Sequence, residues 1–176
     1  MKITSQEFCA RFLPQNWKEA DLQQHIRQQL KKGGLLIAPE ENRIKTKSAT
    51  RRSDVETWLI RYEVKKWLTY ENIYRAAGQL LLYRAYGRKI LWVFNKREVI
   101  IGLAPVPTPD NPNAYWEALK LARDFRAIGI EVIFINEAPE WLDTRMGLSL
   151  EKKIALGGLV TVALASFSIA LLLAAL

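Results

Sequence analysis

Apolar residues recur at helical spacing between about Asn16 and Lys32, where Leu22, Ile26 and Leu30 fall at i, i+4 and i+8. The spacing predicts a helix with Asn16 placed to cap its start, Lys31 and Lys32 in its last turn, and Gly33-Gly34 ending it. Glu19 stands three residues before Leu22 and so shares the apolar stripe. It is either a snorkelling edge residue or an inward-facing site residue. Leu35 to Ala38 is a short apolar run stopped by Pro39 and reads as a strand, and two more short strands follow around Asp54–Thr57 and Ile60–Lys65. A second helix is predicted over about Glu71–Tyr86, with Ile73, Ala76, Ala77, Leu80 and Tyr83 on its buried side and Gly87 as its C-cap. Ile90–Phe94 reads as a buried strand and Val99–Leu103 as another. After the proline-rich loop at 105–113, Asn111 as N-cap and Pro112 as first residue open a third helix running through Ile128. Ile130–Ile135 is a last buried strand. Strands interleaved with helices indicate an α/β domain over residues 1–150.

The pattern changes at the end of the chain. Ile154 to Leu176 is 23 residues without a charge, enough to cross a bilayer core of about 30 Å at about 1.5 Å per residue. Residues 151–176 are therefore expected to form a basic juxtamembrane stretch and a transmembrane helix. Lys152 and Lys153 flank its start and nothing follows Leu176, so the N-terminal domain is expected in the cytoplasm, anchored by a single C-terminal pass. The N-terminus lacks the apolar run of a secretory signal. Gly158, Ser166, Ala170 and Ala174 fall at multiples of four, small residues that would permit close helix pairing in a homodimer.

Charge and rare residue types narrow the chemistry. Lys and Arg exceed Asp and Glu by 26 to 18, and setting aside Glu151, Lys152 and Lys153 still leaves an excess of seven. Such a balance favours a polyanionic partner, nucleic acid or an anionic membrane surface. Cys9 is the one cysteine and His25 the one histidine. An intrachain disulfide, a thiolate metal cluster and a two-histidine zinc site are excluded, and a Ser-His-Asp hydrolase is disfavoured. Catalysis would have to rest on carboxylates, lysines and a metal.

One stretch supplies them. In an extended strand Glu63 and Lys65 project from the same face while Val64 points to the core, and Asp54 on the preceding strand is placed to approach Glu63. Two carboxylates and the Val64 carbonyl make a hard oxygen site suited to Mg²⁺ or Mn²⁺. The ion would activate water and neutralise charge building on a phosphate, with Lys65 orienting that water and stabilising the same charge. The alternative for the Glu-x-Lys tripeptide is a surface salt bridge. Arg43, Lys45, Lys47, Arg51 and Arg52 precede Asp54 with no acid from Arg43 through Ser53. They read either as a phosphate-tracking arm or as a solvated edge strand. Trp58, Tyr62 and Trp67 interleave with these charges and read as core or cross-strand pairs ahead of base-stacking platforms.

The ordered set resembles the restriction-endonuclease-like, PD-(D/E)xK nuclease superfamily. The matching residues are Asp54 after the basic run, Glu63-Val64-Lys65 as the E-x-K strand, and the helix YRAAGQLLLY with Gln79. The resemblance covers about Glu19 to Leu103. It implies a mixed central sheet flanked by helices, Asp54 and Glu63 as metal ligands, and Lys65 at the nucleophilic water. It further implies Gln79 positioning the lysine or the substrate backbone, and Glu19 as an accessory acid. Ser53 stands where the motif has Pro, eight residues separate Asp54 from Glu63, and Glu56 is a competing acid. The expectation is a membrane-tethered, metal-dependent nuclease acting on nucleic acid, DNA ahead of RNA. Two alternatives stay open: a noncatalytic nucleic-acid-binding or adaptor module of the same fold, and a basic face docked on anionic lipid beside the anchor.

Overall fold

The computed structural model describes residues 2–32, 43–45, 50–57, 59–86 and 96–137. The elements in chain order are α1 (Ser5–Phe12), α2 (Glu19–Lys32), β1 (Arg43–Lys45), β2 (Thr50–Arg52), β3 (Val55–Glu56), β4 (Ile60–Trp67), α3 (Tyr70–Tyr86), β5 (Arg97–Leu103), α4 (Ala114–Ala127) and β6 (Ile130–Phe134). A four-stranded mixed sheet runs in the order β3-β4-β5-β6, antiparallel between β3 and β4 and parallel thereafter. β1 and β2 form a separate antiparallel pair. The expected α/β class with a mixed sheet flanked by helices is what folds.

Alternation along the strands gives the sheet two apolar faces. Tyr62, Val64, Val99, Ile101, Leu103 and Ile133 pack with Phe8 of α1 and with Leu22, Ile26 and Leu30 of α2. On the other face, Ile100, Ile130 and Phe134 pack with Ile73, Ala76, Ala77, Leu80 and Tyr83 of α3 and with Ala118, Leu121 and Ala122 of α4. The buried stripe of α3 is the one its spacing predicts. A sheet covered on both faces explains why β5 reads as an almost unbroken apolar run.

Helix boundaries shift where side chains find other partners. Asn16 does not cap α2. It adopts φ 64°, a left-handed conformation asparagine tolerates, and turns the chain ahead of the helix. Lys18 occupies the position before the helix, and Asp21 of the first turn reaches back to accept from its N–H at 2.7 Å. α4 begins at Ala114, with Asn113 at its N-cap position. Asn111 serves the preceding turn, its side-chain oxygen accepting from the Asn113 N–H at 3.1 Å. α1 has no counterpart in the apolar periodicity, although Thr4 and Glu7 form a complete capping box. The strands expected at Leu35–Ala38 and Ile90–Phe94, the Gly33-Gly34 and Gly87 caps, and the apolar segment Ile154–Leu176 lie outside the described residues. Among the described residues no helix is long and apolar enough to cross a membrane.

Gly102 sets how closely β4 and β5 approach. A Cβ there would lie 2.1 Å from the Lys65 carbonyl oxygen, far inside contact distance. The register also shifts between Lys65 and Trp67. Such an irregularity re-aims side chains where it occurs, and here it follows directly on Lys65.

Candidate functional site

β3 pairs only Val55 with Tyr62 and Glu56 with Arg61, so past Tyr62 one edge of β4 has no strand beside it among the described residues. Two carboxylates take the main-chain donors left there. Asp54 Oδ2 accepts from the Val64 N–H at 2.7 Å and Glu19 Oε2 from the Lys66 N–H at 2.9 Å. The N–H and C=O of one strand residue point to the same side, so the Val64 carbonyl faces this edge as well. Glu63 lies level with Ile100 and so on the face covered by α3 and α4. Its side chain is 2% exposed, and Lys65 Nζ donates to its Oε1 at 2.8 Å. The expected strand position of Asp54 is corrected: it occupies the bend just before β3. From there it is still level with Glu63, one step beyond the last pair, Val55 with Tyr62.

The electrostatics mark these groups as one cluster. Burial raises the Glu63 carboxyl most, and the nearby Asp54 charge adds to it, so that it is pushed up to about 7 despite Lys65. Burial also raises Asp54; the Val64 N–H and Lys65 oppose the rise and the Glu19 charge adds to it. Burial works against the Lys65 ammonium, but Glu63, Asp54 and Glu19 together raise it above the ordinary lysine value. Lys65 is therefore a cation at neutral pH, a donor and not a base. Glu63 Oε2 is buried and has no hydrogen-bond partner. An orphaned carboxylate oxygen, a second carboxylate and a carbonyl at one strand edge form a donor set that fits a hard divalent cation. Among the described residues no group of three or more His, Cys, Asp or Glu side chains is arranged to hold a metal. The fit thus depends on the main-chain carbonyl.

Gln79 is half-buried on α3, and its amide makes no hydrogen bond to Glu63 or Lys65. Arg43 and Arg52 occupy paired positions of the β1–β2 ribbon, Ile44 pairs with Arg51, and Lys45 with Thr50. Lys47 lies outside the described residues, as does Trp58. Tyr62 is core, as expected, and Trp67 meets Trp17 edge-on with ring centroids 5.9 Å apart. Lys66 Nζ sits 4.4 Å from the Trp17 ring centre. His25 packs against Phe8 and Phe12, and burial followed by the Lys32 charge lowers its pKa, which suits a structural histidine.

Glu56 does not compete for the site, because a buried ion network holds it. Its carboxylate lies 2.8 Å from Lys96 Nζ and 3.5 Å from the Arg61 guanidinium, and Ser53 Oγ donates to it at 2.9 Å. Ser53, at the motif's proline position, thus acts through a hydroxyl that proline lacks. Arg61 is 2% exposed, 3.9 Å from Glu98 and over the Tyr83 ring, and Glu98 in turn pairs with Arg84 at 2.6 Å. Sequence reasoning also passed over Arg27, whose guanidinium donates to the Asp54 main-chain carbonyl. Nothing in the spacing of α2 distinguishes Arg27 from a solvated arginine. A cleft of about 550 Å³ opens where β4 ends, lined by Trp67, Tyr70, Pro105 and Val106 among others. Glu63 and Lys65 stand outside its lining, four and two residues before Trp67 along β4.

No family model, no curated protein and no solved structure matches this chain.

Proposed function

We propose that this protein is a divalent-metal-dependent nuclease of the restriction-endonuclease-like type, hydrolysing phosphodiester bonds of nucleic acid, DNA ahead of RNA. The observation that carries the reading is the cluster at β4: Asp54 on the Val64 N–H, Lys65 on Glu63, and one buried Glu63 oxygen without a hydrogen-bond partner. Asp54, Glu63 and the Val64 carbonyl would hold Mg²⁺ or Mn²⁺. Such an ion would supply charge neutralisation at the phosphate and a more acidic water. The protein's own part is positioning and electrostatics. Lys65, held as an ammonium beside Glu63, orients the attacking water by donation and stabilises negative charge developing on the phosphoryl oxygens. Glu19 fixes the β4 main chain one residue past Lys65. The cleft beyond Trp67 supplies room for the substrate chain, and the β1–β2 arginines and lysine supply phosphate affinity.

The proposal includes a cytoplasmic domain tethered to a bilayer through residues 154–176, supported by the uncharged run that follows Lys152 and Lys153. The test incubates the detergent-solubilised full chain with DNA and RNA, linear and circular, with Mg²⁺, Mn²⁺ or chelator. We expect metal-dependent cleavage, reduced at least a hundredfold in both Glu63→Gln and Lys65→Met. Binding without cleavage on every substrate would sink the nuclease and establish the noncatalytic module in its place.

A further inference from the structure

Asp54 has to hold its carboxylate at the β4 edge without the support of a sheet ladder, since pairing begins only at Val55. Two bonds locate it. Its Oδ2 takes the Val64 N–H at 2.7 Å, and its main-chain carbonyl takes the Arg27 guanidinium. Arg27 follows Ile26 on α2, whose Leu22, Ile26 and Leu30 are at most 6% exposed in the core. Eight positions earlier the same helix sends Glu19 to the Lys66 N–H at 2.9 Å. One buried helix thus holds the main chain on both sides of the candidate centre, at Asp54 and at Lys66.

We propose that Arg27 is a positioning residue for cation binding: anchored on α2, it fixes the Asp54 main chain so that the Asp54 carboxylate stays beside Glu63 at the β4 edge. The inference rests on the metal-dependent reading of this site. It differs from the other role an arginine near a nuclease centre could have, that of gripping substrate phosphate. A guanidinium bonded to a protein carbonyl acts through that carbonyl. Its planar fork aims fixed donors, which a lysine's single mobile ammonium does not reproduce. Residues that orient metal ligands from behind typically change metal affinity by about 10- to 100-fold when removed.

The experiment measures Mn²⁺ binding to the full chain by electron paramagnetic resonance of free Mn²⁺, without substrate, in wild type, Arg27→Gln and Arg27→Lys. Substrate KM and kcat are measured in parallel. We expect the Mn²⁺ Kd of Arg27→Gln to rise about tenfold, with kcat reduced, KM for nucleic acid unchanged and Arg27→Lys falling between. Unchanged Mn²⁺ affinity in a folded Arg27→Gln, or a raised KM with unchanged Mn²⁺ affinity, would overturn the inference and leave the nuclease reading standing. Absence of Mn²⁺ binding in wild type would remove the underlying reading instead. Should Arg27→Gln fail to fold, Arg27→Lys carries the decision, and wild-type affinity there overturns the proposal.

Discussion

Glu63 combines burial, a cationic partner and a second carboxylate, and its ionisation links stability to function. Its pKa in the folded protein is raised from 4.5 to about 7. The stabilisation tied to its protonated form is therefore full below about pH 4.5 and is lost as pH rises through about 7. Glu63→Gln mimics that protonated form. In metal-free buffer its unfolding free energy should match wild type near pH 4.5 and exceed it at pH 8, by about 1–3 kcal/mol, so that its denaturation midpoint is the higher there. Equal midpoints at both pH values would show that Glu63 is not destabilised by its surroundings. On the proposed metal-dependent reading the same ionisation would control cation affinity, since the carboxylate must be deprotonated to bind. Mn²⁺ affinity of the wild type should therefore fall about tenfold from pH 8 to pH 6, and a flat profile would exclude Glu63 as a ligand.

At the level of elements, β4 is held by β5 along one edge and by a buried ion network at Arg61, and each hold admits its own test. Gly102 allows β5 to lie against the Lys65 carbonyl, and Gly102→Ala would drive a Cβ into that main chain. A destabilisation of about 3 kcal/mol is expected, read by chemical denaturation. It should be accompanied by weakened Mn²⁺ binding, because the displaced segment carries Glu63 and Lys65. Beside the site, Arg61 holds two buried carboxylates, Glu56 and Glu98. Arg61→Met should cost about 3–5 kcal/mol by stranding them. Glu56 and Glu98 keep Lys96 and Arg84 as partners, so a loss near the lower bound is expected. A neutral result would mean that the network does not depend on Arg61.

The whole chain joins a basic α/β domain to an uncharged segment of 23 residues. If that segment is a membrane anchor, full-length protein should stay with membranes through alkaline carbonate extraction, and a chain ending at Lys153 should be released. Release of the full-length protein would remove the membrane tether from the reading while leaving the site at β4 untouched. A tether of this kind confines the domain to the membrane surface, so substrate must reach it there. The domain's excess of seven basic over acidic residues would then gather a polyanion at that surface, with strong dependence on salt.

Much of this architecture is legible in the residue pattern because the signals are local. The stripe of α3, the apolar runs of β5 and β6, and the pairing of Glu63 with Lys65 all follow from helical or strand periodicity and need no knowledge of neighbours. The sequence also limits the chemistry to carboxylates, lysine and metal, since it holds a single histidine and a single cysteine. Start and end points were less legible, because Asn16 and Asn111 are good caps whose conformation or side chain is taken up by adjoining turns. Only the tertiary structure decides that Glu56 belongs to Arg61 and Lys96, that β3 ends early with no other described strand along that edge of β4, and that Asp54 and Glu19 take its main-chain donors. Arg27 enters for the same reason. The bonds of Asp54, Glu19 and Arg27 join residues 10 to 47 positions apart, and no local spacing encodes which polar groups will meet once the two apolar faces of the sheet are covered.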